Sequence, residues 1–208
     1  QFDTPVGGQA IRKLKPKNFI ELAAANSLMR LQATEDGVLP LDKYELYKDD
    51  IKKWYRDIRG YQLVDAEIKV LEEILLQFNG VADTQELVME MVMHPKIAGG
   101  DIILANKLRK GLAKKEPQII ADAKKMFFDS GLENGTSINL LSYIWNEQIQ
   151  LSLGYSFSIV HVAGYTTIAL QEMNIATKYP AIYWNTANLC SDSGAYNEFD
   201  FPKLMSRG

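Results

Sequence analysis

Two histidines, His94 and His161, and one cysteine, Cys190, are all that the 208 residues hold of soft metal ligands. A lone thiol excludes an intramolecular disulfide framework and fits a reducing compartment, so the cytoplasm is the expected location. No Cys/His set with ligand spacing can be assembled, both histidines read as non-metal residues, and no metal site is expected in the chain. No apolar run approaches the roughly 18 residues of a membrane span, so no membrane is expected among its partners. The start, QFDT, has no initiator methionine, basic n-region or apolar h-region, which reads as a piece of a longer protein without a secretion signal. Neither sign of charge dominates, because 23 Lys and Arg stand against 26 Asp and Glu. A free nucleic-acid binder would be more basic, whereas a module of a larger protein needs only a local cationic surface. Internal repeats, low-complexity tracts and strand-type alternation are missing too.

What is present is a succession of helical signals, and these predict an all-α fold with short connections. Thr4-Pro5 reads as an N-cap with proline in the first turn, and Asn18 with Glu21 as a capping-box-like start. From 41 to 59, Tyr44, Tyr47, Trp54 and Tyr55 are interleaved with Lys52, Lys53 and Arg56. Such aromatics can stack on bases, but their spacing also suits the packed face of a helical hairpin, which is the reading preferred here. Helix 67–78 closes at Asn79-Gly80, Asp83 and Glu86 are expected to cap the next helix, and His94-Pro95 stops it. A further helix starts at Pro117, and 137–153 reads as one continuous helix before Gly154.

The stretch 97–115, IAGGDIILANKLRKGLAKK, concentrates positive charge behind a glycine pair. With Asp101 as N-cap, Leu104, Leu108 and Leu112 recur every four residues as a buried stripe. Lys107, Lys110 and Lys114 form a second stripe on the opposite flank, and Arg109 points between the two. Read by itself, a lysine stripe of this kind is more often a solvated face than a phosphate-facing one.

The wider sequence resembles the fingers domain of the C-family replicative polymerases, the bacterial DNA polymerase III alpha subunits. The similarity runs in order through Ser27-Leu28-Met29-Arg30, LEEILLQFNGV at 71–81, TQELVM at 84–89, AGG at 98–100 and LRKGLAKK at 108–115. It continues through Tyr155 to Tyr165, where His161 and Tyr165 match, and covers roughly 6–33 and 61–190. Leu31-Gln32 in place of Pro-Gly, Thr84 in place of Tyr, Asn106 in place of Asp and Ser158-Ile159 in place of Asn-Lys mark a divergent member, of a kind a phage could encode.

The resemblance implies a fingers region over 1–208, with an insertion-like segment at 34–60 and a polar tail at 192–208. It implies one part of a DNA-directed DNA polymerase that touches the incoming dNTP and the template-primer. The palm and thumb would be its other partners, and the palm aspartates and Mg2+ would lie outside this chain, so no catalytic residue is expected here. By the same resemblance Arg109 and Lys110, with Lys107, Lys114 and Lys115, are the candidate nucleotide or phosphate ligands. Arg30, Gln85, Glu86, His161 and Tyr165 are candidate DNA or nucleotide contacts. A different class stays open beside it, a non-catalytic helical module for nucleic-acid or protein binding built on the same fold.

Overall fold

A computed structural model of the chain describes residues 2, 4–34, 36–100, 102–114 and 117–192, among which there are eleven α-helices and no strand. The all-α expectation holds. The chain divides into two compact units, 1–164 and 165–208, and among the described residues no helix is long and apolar enough to cross a membrane. The tail 193–208 lies outside the described residues.

The first helices begin where their caps predict. Thr4 Oγ1 accepts from Gly7 N at 3.1 Å, with Pro5 in the first turn, and opens α1 (Pro5–Leu14). Asn18 Oδ1 accepts from Glu21 N at 2.9 Å while Glu21 Oε2 accepts from Lys17 N at 2.7 Å, opening α2 (Phe19–Leu28). α3 (Pro40–Asp49) and α4 (Ile51–Gly60) pack as a hairpin that buries Tyr44, Tyr47, Trp54 and Ile58. Tyr44, Tyr47 and Trp54 are therefore core, and Tyr55 packs half-buried against it with its hydroxyl donating to Glu72 Oε1 at 2.6 Å, as the hairpin reading expects. Trp54 is fully buried and donates through Nε1 to Tyr143 Oη at 2.9 Å, so its polar edge is satisfied as its ring leaves water.

α5 (Asp65–Leu75) tightens into a 3₁₀ turn at Leu76–Phe78, and Asn79 and Gly80 follow with φ of 48° and 74°. This is the expected left-handed stop. The expected cap of α6 (Gln85–Met93) is not found. Thr84 takes the N-cap position, Asp83 turns inward, and Glu86 reaches across to Ile159 N at 2.7 Å. The reason is a long-range partner: Ser27 Oγ, on α2, donates to Asp83 Oδ2 at 2.7 Å.

Burial pushes the Asp83 carboxyl up to about 6, against the pull of the Ser27 hydroxyl in the other direction. The native state therefore holds this proton more tightly than the unfolded chain does. The associated stability is complete below the ordinary value of 3.8 and is lost as pH rises through about 6. At about 1.4 kcal/mol per pH unit, the loss is about 3 kcal/mol. Urea unfolding at a series of pH values between 4 and 7 is expected to show this fall, and the Asp83→Asn variant to lack it. An identical slope in both proteins would contradict the assignment.

α7 (Ile102–Lys114) packs against both α6 and α8 (Pro117–Glu133). Beyond them, Ser137 Oγ accepts from Leu140 N at 3.1 Å and caps α9 (Ile138–Ile144). The helix expected over 137–153 is not uniform: a π turn at Trp145–Ile149 and a 3₁₀ turn at Gln150–Ser152 follow α9. Two side chains of the π turn are structural. Trp145 packs on Phe127 and Phe128, with ring centroids 6.1 and 6.4 Å away. Gln148 accepts from Ala82 N at 2.8 Å and donates to Gly80 O and Tyr143 Oη, both at 3.0 Å, tying the turn after α5 to the core.

α10 (Ile159–Lys178) runs across the boundary between the units at 164. In the second unit Pro180 separates it from α11 (Ala181–Asp192), and Thr177 and Thr186 fold their hydroxyls back onto their own helices.

Candidate functional site

The basic helix α7 presents three kinds of surface. Ala105, Leu108 and Leu112 are buried against its neighbours, while Leu104, expected in the same stripe, is only half-buried. Lys107 and Lys110 are exposed, and Arg109 is half-buried. Asp101, the expected N-cap, Lys115 and the side chain of Lys114 lie outside the described residues.

The cations do not form one continuous patch. Lys107 borders an open groove of about 520 Å³ against α8, shared with Asp122, Lys125 and Asp129. Arg109 faces the other way, into a cleft of about 170 Å³ lined by Gln85, Ser152, Gly154, Tyr155 and Ser156 over Val88, Leu112 and Ala113. The division follows from helical geometry, because two residues apart means about 200° around the axis.

Two of the sequence-predicted contacts meet in that cleft. Arg109 Nη1 donates to Gln85 Oε1 at 3.3 Å, and Gln85 Nε2 donates to Ser156 O at 2.5 Å. The backbone completes the frame. Gln85 N donates to Phe157 O at 3.0 Å, and Gly154 N donates to Leu112 O at 2.8 Å on the same helix as Arg109. The connection 153–158 is thus bonded to the first residue of α6 and to α7 at once. Glu86 is part of the frame too, since its carboxylate accepts from Ile159 N and caps α10. His161 stacks on Phe157, ring centroids 4.5 Å apart and planes at 11°, which aligns it with the same connection.

Arg30 is exposed just beyond the end of α2, and Tyr165 belongs to the second unit. Sequence reasoning missed Ser152 and Ser156. Ser152 Oγ is buried in the cleft wall without a hydrogen-bond partner, and Ser156 contributes only its carbonyl. Ser156 lies in the Tyr155–Tyr165 segment that the family resemblance picks out, whereas nothing in the sequence marks Ser152.

Chemically, the cleft offers donors. Four of the five N–H groups of Arg109 have no protein partner among the described residues, and the guanidinium is planar, permanently charged and suited to a bidentate grip on an oxyanion. Among the described residues no three His, Cys, Asp or Glu side chains gather as a metal site would require.

Comparison with known proteins shows the family. Residues 1–135 match the model of the bacterial DNA polymerase III alpha subunit finger domain. The chain is 47% identical over 200 residues to a probable DNA polymerase, YorL, of Bacillus subtilis strain 168. It is also 47% identical over 200 residues to a DNA-directed DNA polymerase of Bacillus phage SPbeta. In each case the match covers 96% of this chain and 15% of the relative. The DNA polymerase III subunit alpha of Aquifex aeolicus is 28% identical over 176 residues, 85% of this chain and 14% of that protein. The chain therefore spans about one-seventh of the length of these relatives, and it belongs to the family of bacterial DNA polymerase III alpha subunit finger domains.

Proposed function

We propose that this chain is the fingers portion of a DNA-directed DNA polymerase and that the α7 cations hold phosphate groups of the incoming dNTP or of the template-primer during DNA replication. The observation that carries the reading is Arg109: half-buried, fixed by Gln85, and left with a fork of unspent donors in a cleft too small for a whole nucleotide. Lys110, and on the α8 side Lys107, add exposed positive charge, with Lys114 and Lys115 continuing it along the chain. Glu86 and His161 serve by framing the connection that borders the cleft. Arg30 and Tyr165 are further contacts along the template-primer.

Nucleotidyl transfer divides its labour. Metal ions act on the attacking and leaving oxygens, and separate cations stabilise the charge on the departing pyrophosphate. The second task fits α7. The first is assigned to the palm, elsewhere in the polymerase polypeptide, with the Mg2+ that such a palm would hold. The palm and thumb are the remaining partners, and the location is the cytoplasm.

The reading is tested by the salt dependence of DNA binding to the 208-residue chain, followed by fluorescence anisotropy. With two to four phosphates neutralised, log K is expected to fall against log[salt] with a slope of about −2 to −4 through counterion release, and to vary little with base sequence. Absence of binding at low salt, or binding indifferent to salt, would contradict it.

A further inference from the structure

We propose that Gln85 is a positioning residue, which acts on the phosphate ligand only through the orientation it gives Arg109. The inference rests on the reading of Arg109 as a phosphate ligand.

The side-chain amide of Gln85 is bonded to the protein at both ends, once through its oxygen and once through its nitrogen. Its oxygen accepts from Arg109 Nη1 at 3.3 Å and its nitrogen donates to Ser156 O at 2.5 Å. Turned over, the amide would set N–H against N–H at one end and oxygen against oxygen at the other, so the two partners fix one orientation. The residue cannot slide along the helix either, because its backbone N is bonded to Phe157 O at 3.0 Å. Gln85 is therefore held as a fixed strut between Ser156 and Arg109, and its role is assigned through Arg109, where the family resemblance implies a direct contact.

Arg109 is the group that needs holding. A long side chain that reaches a phosphate from a half-buried start loses rotamer freedom on binding, unless that freedom has been removed beforehand. Gln85 removes it from one side. On the other side, Gly154 N on Leu112 O at 2.8 Å fixes the connection 153–158 to the helix that carries Arg109. The carbonyl of Ser156 and the guanidinium of Arg109 are thus held at a set separation by one amide.

The experiment is single-nucleotide incorporation by the full-length polymerase polypeptide carrying Gln85→Met, Arg109→Ala, or both. Gln85→Met keeps the length of the side chain and removes both hydrogen bonds. It is expected to lower kcat/KM for dNTP about tenfold, chiefly through KM, as lost positioning does. In the Arg109→Ala background it is expected to cost less than about twofold, because a residue acting only through a partner has nothing to add once the partner is gone. A loss of the same size in both backgrounds would overturn the inference, since it would mean a direct contact or a general structural role. So would an Arg109→Ala enzyme that is impaired beside a Gln85→Met enzyme that is not. An Arg109→Ala enzyme that incorporates like the parent would instead remove the phosphate reading on which the inference stands. If Gln85→Met does not accumulate as folded protein, Gln85→Asn, with the amide on a side chain one methylene shorter, carries the same comparison.

Discussion

The Gly80→Ala variant is expected to lose about 3–5 kcal/mol of folding stability, the sum of a left-handed backbone penalty and an overpacked core. Gly80 has a φ of 74°, and a Cβ built there would lie 2.5 Å from Cδ1 and 2.6 Å from Cγ and Nε1 of Trp54. The indole cannot step aside. It is fully buried, its Nε1 donates to Tyr143 Oη, and that hydroxyl also accepts from Gln148 Nε2, whose amide holds Gly80 O. The added methyl would therefore push on a ring whose displacement breaks the network fixing the glycine itself. Gly37→Ala is the control, since Gly37 has a similar φ of 78° and open space around its Cα. It should cost about 1 kcal/mol, from the backbone alone. Denaturant midpoints measure both, and equal losses at the two glycines would show that the clash with Trp54 is relieved cheaply.

Local chemistry was legible in the sequence, and long-range chemistry was not. The caps at Thr4 and Asn18 act on backbone groups within three residues, so the residues that make them stand side by side in the chain. The stop at Asn79-Gly80 is equally local. Asp83 was read as a cap because carboxylates commonly cap, but its partner Ser27 lies 56 residues away and pulls it inward. The π turn at Trp145–Ile149 left no mark, because Trp145, Gln148 and Ile149 keep the spacing of an α-helical buried face whether or not the turn is widened.

The site follows the same division. Periodicity put Leu108 and Leu112 inside and Lys107 and Lys110 outside, as observed. The family resemblance singled out Gln85, Glu86, Arg109 and His161, all of which lie on or beside the connection 153–158. What neither source revealed is the bond between Gln85 and Arg109, 24 residues apart. It depends on how α6 packs against α7, which no spacing within one helix encodes.

Charge reversal on α7 is the second large effect. In the full-length polymerase, Arg109→Glu with Lys110→Glu would replace the cation in the cleft and its exposed neighbour on α7 with two carboxylates, so a phosphate bound there would meet repulsion in place of donors. Removal of one preorganised donor from a developing charge commonly costs about 100-fold or more, and reversal of two should reach at least that in kcat/KM for dNTP. Folding should hardly change at Lys110, which is exposed, and by little more at Arg109, whose one side-chain bond among the described residues is to Gln85. The matched control is Lys52→Glu with Lys53→Glu, the same change of charge on α4, away from the cleft. The direct test is therefore steady-state primer extension by the parent enzyme and these two double variants at varied dNTP. A loss of about 100-fold confined to the α7 variant supports a phosphate-binding fingers helix; primer extension by both variants at the parent's rate would show α7 to be a solvated face.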